Sequence, residues 1–155
     1  MATFTRWLYF MALIVWLGAM LFFSMVAAPA LFHVLSRPDA GRAVGAIFPT
    51  YYAIGYGCGL VLVIGSVWWW RRGTARGWWG LNAVLAAVML AATLYAGMSI
   101  LPRAAALRPQ VLAPIPDAAA MKEFDGLHRL AVNLNGLVLV CGLALSVVTA
   151  GRLRP

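Results

Sequence analysis

The sequence predicts an all-α integral membrane protein, a four-helix bundle running up-down-up-down as a single membrane domain over residues 1–155. Three observations predict it. The chain is 64% hydrophobic and only 10% charged, which is more apolar surface than a soluble domain of this size can hide. No Lys, Arg, Asp or Glu falls in residues 7–36, 43–70, 77–102 or 130–151, and each window exceeds the roughly 20 apolar residues that a bilayer crossing needs. Finally, Trp7, Trp68, Trp69, Trp70, Trp78 and Trp79 collect at one set of window ends, as an interfacial aromatic belt does.

The first predicted helix runs from about residue 7 to 29, where Pro29 kinks or ends it. Its Gly18, Ser24 and Ala28 are small positions that let another helix approach. A signal peptide is the competing reading, with Arg6 as basic start and Val26-Ala27-Ala28 as cleavage site. The long apolar run and Pro29 after the cut favour a retained helix. Asp39 is expected to cap a short helix towards Phe48. The second span, about 46–70, carries Gly55 and Gly59, a small-xxx-small pair for close packing or self-association. With no preceding strand and no Lys-Ser/Thr, its glycines are not a phosphate loop. A tight basic loop over residues 71–77 leads to the third span, about 78–101, which is rich in alanine. A long connection over 102–123 follows, with Pro102, Pro109, Pro114 and Pro116. Arg103, Leu107, Arg108 and Val111 suit a short interfacial helix within it. Asp117 is placed to cap a helix that runs straight into the fourth span, about 126–150.

The net charge of +8 follows from arginines that flank the spans, and no basic run with interleaved aromatics points to nucleic acid. Arg6, Arg71, Arg72, Arg76, Arg152 and Arg154 share one side with no acid. Arg37, Arg42, Arg103, Arg108, Lys122 and Arg129 share the other with Asp39, Asp117, Glu123 and Asp125. The compact acid-free set places both termini in the cytoplasm. Cys58 and Cys141 lie deep within spans and read as small apolar fillers.

The functional candidates gather at the non-cytoplasmic end. Asp125, His128, Val132, Asn135, Leu139, Gly142 and Ser146 form one stripe at helical spacing, polar above and small below. Polar groups this near lipid need partners, so the stripe is expected to face protein. His33, Tyr51, Arg103, Asp125, His128 and Asn135 are the candidate ligand-binding residues. Gly55, Gly59, Gly142 and Ser146 are the candidate packing residues. Each has a structural reading as well. Asp125 and Arg129 make a helix-surface pair, and Asn133 and Asn135 serve as interhelical hydrogen-bond partners. His33 and His128 are the only candidate metal ligands, for haem b or, with nearby methionines, for copper. The stripe itself could line a path for a small solute or proton. The spacing demands none of these, and no catalytic triad or Cys-His pattern is present, so the expectation is a non-enzymatic protein without cofactor that binds or passes a small ligand, or assists membrane assembly, through this polar layer. Its expected partners are the lipid bilayer and other membrane proteins or a second copy.

Trp16-Leu17-Gly18, Pro29-Ala30-Leu31-Phe32, Ala40-Gly41, Phe48-Pro49-Thr50-Tyr51-Tyr52, Pro102-Arg103 with Leu107-Arg108, and Phe124 with Leu127-His128-Arg129 and Asn135 follow one another along nearly the whole chain. In that order they resemble the family of uncharacterised four-helix membrane proteins related to eukaryotic transmembrane protein 205, catalogued in bacteria as a domain of unknown function. Gly18-Ala19 stands where that family usually has a double glycine. The resemblance implies the four-helix fold and no established bacterial activity; eukaryotic members have been linked to drug resistance and secretion. Architecture is similar as well in copper-resistance membrane proteins and in a haem-containing protoporphyrinogen oxidase, and the second likeness implies, as the alternative, a haem-dependent membrane oxidoreductase with His33 or His128 on the haem.

Overall fold

A backbone in hydrocarbon has no water to bond, so it satisfies its N–H and C=O groups within its own helix. The computed structural model describes residues 2–72, 76–115 and 117–151, and these are helical apart from short connections. α1 (Ala2–Phe22) continues through a π-helical turn (Phe23–Ala27) into α2 (Ala28–Val34). α3 is Arg37–Arg72. α4 (Arg76–Tyr95) continues through a second π-helical turn (Ala96–Ile100) into α5 (Leu101–Val111), and α6 is Ala118–Ala150. Four stretches are long and apolar enough to cross a membrane: Thr3–Val34, Arg37–Arg72, Arg76–Val111 and Ala118–Ala150.

These stretches hold 32 to 36 residues. At about 1.5 Å per residue they reach roughly 48–54 Å, against about 30 Å of hydrocarbon. Each helix is therefore longer than a hydrocarbon crossing needs, and the sequence windows mark only its apolar part. The short helix foreseen from Asp39 and the second span are one helix, α3, which passes through Pro49. Its cap is also earlier than foreseen: Ser36 Oγ accepts from the Asp39 N–H at 3.3 Å and donates to Asp39 Oδ2 at 2.6 Å, while Asp39 pairs with Arg42 at 3.0 Å. The expected long connection before the last span is mostly helix too. Pro102 lies within the continuous helix, just after the π-helical turn that accommodates its ring, so helix persists to Val111. Asp117 does cap α6, accepting from the Ala119 N–H at 2.8 Å. Of the tight basic loop, residues 73–75 lie outside the described residues, as do Arg152 and Arg154.

The two π-helical turns share one cause. A proline within a helix lacks an N–H and presses its ring on the carbonyl four residues back. Pro29 and Pro102 each follow a turn closed by an i→i−5 bond, Ala28 N–H to Phe23 O and Leu101 N–H to Ala96 O. The wider turn absorbs the strain, so the first and third spans bulge rather than break. Pro49 leaves the carbonyl of Gly45 without its helical donor in the same way. The Arg108 side chain from α5 lies directly over Gly45, in space that any Cβ there would fill.

All four spans contribute to one core of Tyr9, Leu13, Trp16, Leu62, Met89 and Leu145 with their neighbours. The Trp16 indole lies along the glycine ridge of α3. A methyl group on Gly59 would stand 2.8 Å from Leu90 Cδ1 and 3.1 Å from Trp16 Cη2; on Gly55, 2.9 Å from Thr93 Cγ2 and 3.2 Å from Trp16 Nε1. Gly142 of α6 is similarly closed by Leu17 and Met89. Outside this core the helices show apolar side chains. Only 22% of the most apolar window is buried in three of the spans and 33% in the other, which leaves most of each helix surface to face lipid. Gly59→Leu or Gly55→Leu must displace Trp16 or its neighbours and should destabilise the protein by about 1–3 kcal/mol. Gly57→Ala, which opens onto free space, should change little. Thermal midpoints in detergent check this, and equal losses at Gly57 and Gly59 would contradict the ridge packing.

Candidate functional site

Where the first π-helical turn meets α3 and α6, three spans are joined by side-chain hydrogen bonds. The Tyr51 hydroxyl donates to Asn135 Oδ1 at 2.6 Å, and Asn135 Nδ2 donates to Ser24 Oγ at 3.2 Å. Aromatic rings hold Tyr51 in place: Phe23 at 5.2 Å, Tyr52 at 5.4 Å and Phe48 at 6.3 Å between centroids. Tyr52 in turn stacks on Tyr56, and both rest on Gly97 of the second π-helical turn, so the two bulges flank the same aromatic group. Beneath it lies a cavity of about 10 Å³ lined by Trp16, Met20, Tyr51, Tyr52, Thr93 and Asn135. That is room for about one water molecule. The hydrogen-bonding groups are a phenol, an amide and an alcohol, with no carboxylate or imidazole. Their chemistry is recognition through neutral hydrogen bonds, worth around 0.6–2 kcal/mol each inside a membrane.

Of the six candidate residues, the structure brings together Tyr51 and Asn135, and adds Ser24, which the sequence offered only as a small packing position. The other four stand apart from them. Arg103 faces Glu123 across an exposed 3.5 Å ion pair. His33, Asp125 and His128 are exposed, and neither histidine makes a hydrogen bond or ion pair among the described residues. Asp125 and Arg129 are not among the ion pairs formed by the described residues, and Asn133 is exposed. Among the described residues no group of three or more His, Cys, Asp or Glu side chains converges as a metal site would. Cys141 is buried in the core with Cys58 packed against it, both free thiols.

The stripe on α6 divides for a geometric reason. Steps alternating between three and four average 3.5 residues, and a straight α-helix drifts by about 20° per heptad against that repeat. The buried face of α6 runs through Leu127, Val138, Cys141, Leu145 and Thr149. Asn135 and Gly142 meet it, while Asp125, His128 and Val132 have rotated outward and are exposed. Ser146 turns back on its own helix, donating to the Gly142 carbonyl at 2.8 Å.

A second polar layer at the basic end went unseen in the sequence. Tyr9, Ser66, Asn82 and Thr149, one from each span, are all at most 4% exposed. Tyr9 and Ser66 share a hydrogen bond of 3.1 Å, and Asn82 Nδ2 donates at 3.1 Å to Thr149 Oγ1, which itself donates to the Leu145 carbonyl at 2.7 Å. Asn82 Oδ1 is buried and has no partner among the described residues. Each residue is a lone polar group in an apolar window. Their common depth below Arg6, Arg71, Arg76 and Arg152 was the available signal.

These features define a class of protein: a multi-pass, all-helical membrane protein whose spans are tied near both ends by neutral side-chain hydrogen bonds. Within that class, the chain belongs to the family described as Domain of unknown function (DUF4149), which matches residues 11–111. The match takes in Ser24, Tyr51 and both π-helical turns and ends with α5, before α6. No curated protein and no solved structure matches the chain.

The orphan acceptor makes the second layer testable. Thr149→Val should leave both polar atoms of Asn82 unpaired and cost about 1–3 kcal/mol, whereas Asn82→Leu removes the orphan and should be nearly neutral. Chemical or thermal unfolding in detergent ranks the two variants. A larger loss for Asn82→Leu would contradict the reading that Oδ1 is unpartnered.

Proposed function

We propose that this is a non-enzymatic protein of a bacterial inner membrane, spanning up-down-up-down with both termini cytoplasmic. In this reading it recognises a small polar ligand or steadies neighbouring membrane proteins through its non-cytoplasmic layer, and it does not conduct solutes. The observation that carries the reading is the contrast between that layer and the centre of the protein. Tyr51, Asn135 and Ser24 form a hydrogen-bonded group beside a cavity. Beyond it, towards the basic end, Trp16, Leu62, Met89 and Leu145 pack with no more than 3% exposure. A path through the protein would have to cross that apolar section, where no side chain replaces the hydration of a polar solute.

Exposed His33, Asp125 and His128, and the Arg103–Glu123 pair, furnish polar surface on helices that overrun the lipid. Such surface suits contact with partners better than chemistry. The relation to transmembrane protein 205 belongs to the same reading, supported by the ordered series from Trp16-Leu17-Gly18 to Asn135. Haem b or copper is not required by it. His33 and His128 are the side chains that a bound metal would engage.

The purified protein reconstituted in liposomes carrying a pH-sensitive dye should dissipate an imposed pH gradient no faster than empty liposomes. A several-fold faster decay that scales with protein content would replace recognition with passage. For orientation, a C-terminal green fluorescent protein fusion should fluoresce and a C-terminal alkaline phosphatase fusion should be inactive. The opposite pair of results would invert the topology.

A further inference from the structure

At the basic end, Trp70 and Arg71 of α3 and Arg76 of α4 line an open cleft of about 240 Å³. Several features mark it as a site for an anion at the membrane surface. Neither Arg71 nor Arg76 has an ion-pair or hydrogen-bond partner among the described residues, whereas Arg72 is engaged, lying 3.9 Å over the Trp68 ring. The Trp70 indole rests on Gly80, with Nε1 at 3.4 Å from where a Cβ would stand, so α4 holds the ring against the cleft wall. Its N–H also lacks a hydrogen-bond partner among the described residues. Asp39, Asp117, Glu123 and Asp125 lie at the starts of α3 and α6, at the other end, so no acidic side chain competes for these donors. The cleft stands at the level of the tryptophan belt, where lipid phosphates lie, and Trp70 in its wall is itself exposed apolar surface.

We propose that this cleft binds the phosphate headgroup of an anionic phospholipid. Arg71 and Arg76 supply the charge-assisted hydrogen bonds, which guanidinium groups make to phosphate in forked pairs. Trp70 adds an indole donor, and its exposed ring face meets the acyl chains. At roughly 30 Å³ per water molecule, the cleft has room for a phosphate diester and waters around it. A free phosphate would use the same arginines, but it would gain nothing from the belt position or the exposed Trp70 ring.

The test is native mass spectrometry of the full-length protein released from micelles holding equal amounts of dioleoyl phosphatidylglycerol and dioleoyl phosphatidylcholine. The wild type should retain one phosphatidylglycerol in preference to phosphatidylcholine. Arg71→Gln/Arg76→Gln should lose that adduct by about tenfold or more, since each arginine near a surface phosphate contributes on the order of tenfold or slightly less. Arg6→Gln/Arg72→Gln removes the same charge from the same end but outside the cleft, and should retain the adduct. Trp70→Phe, which keeps the ring and deletes the N–H, should weaken it by a smaller factor. Full retention by Arg71→Gln/Arg76→Gln would overturn the proposal. So would equal loss in Arg6→Gln/Arg72→Gln, which would mean diffuse attraction. Displacement of the lipid by millimolar inorganic phosphate would identify a free-anion site and overturn the lipid assignment. The four altered arginines and Trp70 are all exposed, and circular dichroism checks that each variant remains helical.

Discussion

Lipid offers polar groups no partner but one another, and that constraint arranges this protein. The backbone meets it with helices. The side chains meet it by sorting polar groups to two depths. Tyr9, Ser66, Asn82 and Thr149 gather near the basic end, and Tyr51, Asn135 and Ser24 near the other. Between them the core is apolar and tightly filled. Neither layer carries a charged side chain, so the helices are tied together without the desolvation cost of buried ions. Charges appear only where the helices have passed beyond the apolar windows.

The close fit of the middle section depends on glycine opposite tryptophan. Gly55 and Gly59 flatten one face of α3 so that Trp16 can lie along it, and Gly142 makes room for Leu17 in the same core. At the acid-bearing end, proline shapes the fold instead. Pro29 and Pro102 each follow a π-helical turn, and the two turns bring Ser24 and Gly97 up to the Tyr51–Tyr52–Tyr56 group. The candidate site is thus a product of backbone irregularity near the acid-bearing end of the spans. A regular helix would place Ser24 and Gly97 about one residue out of register with their partners.

Much of this was legible because charge-free length is a direct physical signal. The four windows, the belt of tryptophans and the Asp117 cap are all read from residue type and spacing alone. Tyr51 and Asn135 were legible as polar residues at one level, but their bond, and Ser24 as its third member, needed the packing. Helix extent was less legible. Proline reads locally as a breaker, yet α3 passes through Pro49 and α5 starts across Pro102, because long-range packing and the π-helical turns override the local preference. The exposure of Asp125 and His128 was hidden by the small mismatch between 3.5 and 3.6 residues per turn, which builds up along α6. The Asn82 layer was hidden by its ordinariness: single polar residues in apolar runs are grouped only by depth, and depth needs the helices aligned.

The central claim is that these helices outrun the membrane and leave it at the level of the Tyr51 group. Reaction of single cysteines with a membrane-impermeant thiol reagent tests this most directly. The scan would run along Arg37–Arg72 in intact membranes, in a Cys58→Ser/Cys141→Ser background. The account predicts labelling of exposed positions before Tyr51, protection from Tyr52 until the belt at Trp68–Trp70, and a single boundary between the two. Protection that begins near Arg42, or labelling that recurs with helical period through Ile64, would contradict it.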